Sequence, residues 1–202
     1  MDTSLRHRTF APVVAILLLD SSFAPPAPAQ DMPNAGEPGQ RTLIFRSLED
    51  PTVPNHPENC PFNANPFNAN LFLGATLWSM QTRASDSVVV NEAVQQIGTA
   101  AACGVITAAL VPSTLVPFYV EFTMDQGPDR GDTYAAVGTC QVITNNVPTP
   151  DVVLAGCALR VTHGPEPFLR GAATSMSIFN PTHVAGAGTG SFWTLRVYSG
   201  TE

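Results

Sequence analysis

Lysine is absent from this 202-residue chain: all nine basic residues are arginine, set against sixteen Asp and Glu, for a formal net charge of −7. Nucleic acid and anionic membrane surfaces both demand a basic face, so neither is expected as a partner. Charged residues of every kind make up only 12% of the chain, while apolar residues reach 44%. That balance argues against disorder and for one folded domain with a sizeable core. Long apolar runs are missing as well. Phe10–Leu19 is followed at once by Asp20 and is too short to span a bilayer, so no membrane span is expected. Catalytic signatures are missing too: there is no Gly-x-Ser-x-Gly, no His-Glu-x-x-His and no phosphate-binding glycine loop.

What is present begins with a leader. Arg6-His7-Arg8, the apolar stretch that follows and the small-residue exit Ala27-Pro28-Ala29 predict a signal peptide over residues 1–29, with cleavage near Gln30. The protein is therefore expected to be secreted or periplasmic, with its cysteines in disulfides. Residues 30–40 are rich in Pro, Ala and Gly without periodicity and read as a disordered linker. The folded domain is expected over 41–202.

From Thr42 the character changes. Thr42–Phe45 is β-like, and a loop from Glu49 to Asn70 follows, carrying Cys60 and the tandem pentapeptide Pro61–Asn65, Pro66–Asn70. Further apolar or alternating segments are Leu71–Met80, Gly98–Thr107, Pro117–Met124, Thr133–Thr144, Val152–Thr162, Phe168–Phe179 and Ser191–Tyr198, separated by Pro- and Gly-rich breaks. Asn91–Ile97 is the one stretch that could form a helical turn or two. Eight short strands with almost no helix predict an all-β fold, an eight-stranded antiparallel β-barrel or a sandwich. A barrel is preferred because closure removes exposed strand edges.

Period-2 alternation assigns faces. Phe118, Val120, Phe122 and Met124 are expected inside, with Tyr119, Glu121 and Thr123 outside. Val153, Ala155, Cys157, Leu159 and Val161 share an inner face, leaving Arg160 outside. In the last strand Trp193, Leu195 and Val197 face inward. Phe192, Thr194, Arg196 and Tyr198 face outward, an aromatic surface that a contact between subunits would cover.

Four cysteines allow three pairings. Cys140 and Cys157 lie almost symmetrically about Pro148-Thr149-Pro150, so a hairpin centred there would oppose them within disulfide reach. That pairing leaves Cys60 with Cys103. A metal site built from His56, Glu58 and Cys60 lacks a fourth ligand and a paired spacing, so neither a metal nor any other cofactor is expected. His56, His163 and His183 read as solvated loop or strand-end residues.

Gly188-Thr189-Gly190-Ser191-Phe192, followed by Arg196, resembles the closing signature of the allene oxide cyclase and dirigent protein superfamily. Thr42–Phe45 and Asn180-Pro181 are similar to further elements of the dirigent pattern. Ala187, Leu195 and Val197 depart from it. The resemblance implies an eight-stranded barrel around an apolar pocket that holds one reactive small molecule and steers its cyclisation or coupling. It also implies assembly as a homo-trimer. Locally, the two glycines around Thr189 suit a tight turn or bulge before the strand.

The charges that stand within apolar strands are Glu121 and Arg196. A buried carboxylate could act as acid or base, with the arginine binding an enolate or phenolate. Alternation, however, puts both on the outer face, where salt bridging accounts for them. Trp78, Phe118 and Phe122 are candidate linings of an apolar cavity, a role that core filling explains equally well. The sequence thus points to an exported barrel that binds a small apolar or phenolic molecule. The alternatives are a dirigent- or cyclase-type enzyme and a structural or interaction barrel without a ligand.

Overall fold

β-Branched and aromatic residues in period-2 alternation, punctuated by Pro, Gly and Asn, produce eight strands. They are β1 (Gln40–Glu49), β2 (Leu71–Ser85), β3 (Val88–Gly104), β4 (Leu115–Met124), β5 (Thr133–Asn146), β6 (Pro150–His163), β7 (Arg170–Phe179) and β8 (Gly190–Tyr198). The computed structural model describes residues 39–50, 52–54, 56–61, 68–85, 88–147, 149–182 and 184–199. The expected signal peptide, the expected linker up to residue 38, most of the pentapeptide repeat and His183 lie outside the described residues.

Each strand pairs antiparallel with the next, and β8 returns to β1 to close the barrel. The all-β, eight-stranded antiparallel β-barrel expected from the sequence is the architecture present. Gln40 already belongs to β1, paired with Tyr198. Asn91–Ile97 is strand and not helix: Asn91 pairs with Thr82, Ala93 with Met80 and Gln96 with Trp78. Two turns of helix are marginal without packing, whereas β2 offers a ladder for the backbone. The register shifts between Leu77 and Met80. Among the described residues, no helix is long and apolar enough to cross a membrane.

The interior follows the alternation. Phe118, Val120, Phe122 and Met124 of β4 are buried, as are Val153 to Val161 at every second position of β6, and Trp193, Leu195 and Val197 of β8. At mid-height Phe122 meets Phe45 and Trp193 edge-on, with centroids 5.0 Å apart in each pair, an arrangement that the ring quadrupoles favour. Some residues break the expected pattern, Val152 beside the inward Val153 among them. Tyr119 faces outward yet is buried, because Cys60 and Ala69 of the long early loop pack over Phe72, Cys103, Tyr119 and Ala135.

Both disulfides join the expected partners, Cys60–Cys103 and Cys140–Cys157. Cys140 and Cys157 are direct cross-strand partners in the β5–β6 ladder, with Cα atoms 4.0 Å apart, and both belong to the inner core. Closing a loop with a sequence separation of 17 contributes about 3 kcal/mol in the chain-entropy picture.

Candidate functional site

The two ends of the barrel differ in their connections. Where β1 stops, the strands are joined by residues 50–70, 105–114, 147–149 and 180–189. Where β1 starts, they are joined by 86–87, 125–132 and 164–169, none of which is as long as 50–70, 105–114 or 180–189.

At the loop-rich end several inward side chains are small: Ala75 of β2, Ala100 and Ala102 of β3 and Ala155 of β6 stand among Leu71, Leu73, Phe118 and Phe179. Two cavities of about 30 Å³ each result. One is apolar, with Leu71, Val116, Val142 and Ala155 in its wall. The other includes Ser47, Glu49, Ser191 and Trp193 beside the alanines. Phe118 and Phe179 line both, their rings tilted by 55° with centroids 5.9 Å apart, so this pair partitions the upper barrel. A wider opening of about 380 Å³ lies above the apolar cavity and shares Ile106, Leu110, Val153 and Pro181 with it.

Two asparagines hold the loops at this mouth. Asn70 donates from Nδ2 to the Ile106 carbonyl (2.7 Å) and accepts the Ile106 N–H at Oδ1 (2.8 Å). Asn180 does the same for Val184, donating at 2.9 Å and accepting at 2.8 Å. Asx side chains that mimic backbone partners in this way stabilise turns that have no ladder of their own. Ile106 is thereby set over the opening.

The opposite end is charged. Inward alternation along β1 from Phe45 through Leu43 leads to Arg41, which is paired with the buried Val197 of β8. Its guanidinium forms a salt bridge with Asp129, lies 3.7 Å from Asp132 and sits 5.9 Å from the centroid of Phe168. Arg41 Nη1 also donates to Tyr134 Oη at 3.4 Å, and Tyr134 donates to Asp132 Oδ2 at 3.4 Å. Burial pushes the Tyr134 hydroxyl above the usual tyrosine pKa; Arg41 partly offsets this and Asp132 adds to it. Cation and anions face one another here, so the cluster acts as a polar stopper for the barrel.

Of the residues expected to line a cavity, Phe118 does so. Phe122 is placed in the solid middle, clamped between Phe45 and Trp193. Trp78 lies on the outer face: it pairs with Arg46 of β1, next to the inward Leu77, and its Nε1–H donates to Thr76 Oγ1 at 2.9 Å. Glu121 is half-buried on the outside of β4 and accepts the Tyr119 hydroxyl at 3.0 Å. Arg196 is exposed on β8, half the barrel away in strand order. The structure does not bring Glu121 and Arg196 together. His56 Nδ1 is 3.2 Å from Glu58 Oε1 on the exposed early loop, and the third member of that trio, Cys60, is disulfide-bonded. Sequence reasoning passed over Ser47, Ser191, Arg41, Asp129, Asp132 and Tyr134. Extending the β1 alternation in both directions from Phe45 would have turned Ser47 and Arg41 inward.

No family model and no curated protein matches this sequence. The structure is similar to two solved dirigent proteins. The pterocarpan synthase dirigent protein GePTS1 superposes with a TM-score of 0.47 at 12% identity, over 81% of this chain and 86% of that one. The pterocarpan synthase dirigent protein PsPTS1 superposes with a TM-score of 0.47 at 13% identity, over 81% of this chain and 97% of that one. The likeness concerns the barrel and says nothing about activity.

Proposed function

We propose that this protein is an exported barrel that binds one small apolar or phenolic molecule at its loop-rich end. The opening of about 380 Å³ above an apolar cavity supports this reading, because it falls within the range of about 300 to 1,000 Å³ typical of small-molecule sites. The cavities beneath it are water-sized (a water occupies about 30 Å³ of liquid). A larger guest therefore has to part Phe118 from Phe179 or lift the segment carrying Ile106 and Leu110. Pairing of all four cysteines supports an oxidising compartment. Assembly with further copies belongs to the same proposal. It is supported by outward-facing Ile44, Met176, Phe192 and Tyr198, exposed by 65, 49, 47 and 40%.

The test is native mass spectrometry of the full protein purified from its producing cells. A co-purifying small molecule is expected, released by Leu110→Glu, which puts a charge against the apolar cavity. A bare protein mass, together with no response to Leu110→Glu in a small-molecule binding screen, would sink the reading.

A further inference from the structure

The outer wall formed by β6, β7, β8 and β1 is opposite in charge to the chain that builds it. Arg46, Arg160, Arg170 and Arg196 stand on this wall. The carboxylates of these four strands are Asp151, next to the start of β6, and Glu49, at the end of β1, which lines the interior. The whole chain has a formal net charge of −7. Three of the arginines surround one small residue. Ala172 of β7 pairs with Arg160 of β6 on one side and with Arg196 of β8 on the other, and Arg170 stands two positions away along the same face. All three are exposed. Strand spacing sets the Arg160 and Arg196 backbones about 10 Å apart. Among the described residues the ion pairs are those of Arg41 with Asp129 and Asp132 and of His56 with Glu58, so none involves this trio. Like charges gathered this closely repel unless an anion stands between them. Arg46 has no carboxylate partner there either. Its guanidinium lies 5.3 Å from the Phe192 ring centroid, and its buried Nε has no hydrogen-bond partner among the described residues.

The floor between the arginines is low. Ala158 and Ala172 carry only a methyl group each and are exposed. Thr174 pairs with Ala158 on one side and with Thr194 on the other, and Tyr198 pairs with Arg170. A peptide docks by adding a strand to a sheet edge or by seating anchors in an apolar groove. The closed barrel has no free edge, and this floor of methyls and hydroxyls is not an apolar groove. A flat, cationic, hydroxyl-bearing surface beside an exposed aromatic ring suits a sugar chain instead.

We propose that Arg160, Arg170 and Arg196 form a surface site for a linear acidic polysaccharide, separate from the barrel interior and independent of any guest there. The planar guanidinium forks take up its carboxylates through paired hydrogen bonds. Thr174 and Thr194 exchange hydrogen bonds with its hydroxyl groups. The negative face of the Tyr198 ring receives the C–H groups of a sugar. Carboxylates in such a chain are a sugar ring apart, so three arginines match several successive residues. Duplex nucleic acid, with a charge every ~1.7 Å, would instead press most of its charge against a protein of net negative charge.

Calorimetric titration of the full chain with polygalacturonate, and with poly-glutamate of matched charge, tests this. Polygalacturonate is expected to bind about fivefold tighter or better. Arg160→Gln and Arg196→Gln should each weaken its binding about fivefold, the size of one exposed charged contact. Arg130→Gln removes the same charge from the exposed 125–132 turn and should leave binding unchanged. No binding of polygalacturonate, equal binding of the two polymers, no loss in Arg160→Gln and Arg196→Gln, or the same loss in all three variants overturns the site. Native mass spectrometry of the variants tests the rival occupant. If Arg160→Gln and Arg196→Gln change the number of subunits and leave polygalacturonate binding intact, the arginines serve a second copy of the chain and the proposal fails.

Discussion

Where β1 begins, the barrel interior ends on Arg41 set among Asp129, Asp132 and Tyr134, with Phe168 across the guanidinium. Where β1 stops, it ends on Ser47, Ser191, Ala75, Ala100 and Ala102, beneath loops held by Asn70 and Asn180. Both ends must close an apolar tube against water. The first does so by filling the tube and pairing its charges. The second sets three alanines and two serines among larger apolar side chains and Glu49, and leaves space. The contrast follows from what the connections carry: the 125–132 turn brings two carboxylates directly to an inward arginine, whereas the 105–114 loop sets the apolar Ile106 and Leu110 against the cavity. Local opening is cheapest where few apolar contacts and few ladder hydrogen bonds are lost, so the loop-rich end is the one suited to admit a guest.

The comparison can be broken most severely in the solid half. Phe122→Ala removes a fully buried ring from between Phe45 and Trp193 and is expected to lower unfolding free energy by about 3–5 kcal/mol. Phe118→Ala, which borders both cavities, is expected to cost less, about 2–3 kcal/mol, because its ring already has empty space on two sides and fewer packing contacts to lose. Urea unfolding of the two variants side by side measures this, and equal losses would show that the two levels are packed alike.

Next in size is Arg41→Met, which strands Asp129 and Asp132. Breaking a buried ion pair costs about 3–5 kcal/mol. The Arg41 and Asp129 side chains keep 24% and 12% exposure, so about 2–3 kcal/mol is expected at neutral pH. Urea unfolding measures this, and a loss within error of zero would contradict the stopper.

The smallest effect is confined to alkali. Burial raises the folded-state pKa of Tyr134 above its ordinary value of 10.0. Its contribution is fully present below that value and is lost as pH rises through the raised folded-state pKa, because the unfolded chain releases the proton first. Denaturant unfolding across this range should fall more steeply for the unaltered protein than for Tyr134→Phe. Parallel curves would mean that Tyr134 ionises as freely folded as unfolded.

Much of the fold was legible in one dimension. Alternation in β4, β6 and β8 named the inward residues because a strand has two faces and one of them must leave water. The placing of Cys140 and Cys157 about a proline turn revealed their pairing because a hairpin's register is set by its turn. The Asn91–Ile97 segment misled because Ala93, Val94 and Ile97 fall at helical spacing, and only its partner β2 decided the matter. Trp78 could not be assigned to the outside from its neighbours alone, since a register shift adjoins it.

Local pattern, then, was enough for the strands, their inner faces and the hairpin disulfide, because each depends on residues close together along the chain. The meeting of Ser47 with Ser191, of Arg41 with Asp129 and of Tyr119 with the early loop belongs to the closed barrel alone. Each of these contacts joins distant segments, and it is the stagger at which β8 returns to β1 and the path of the loops that determine which of them touch.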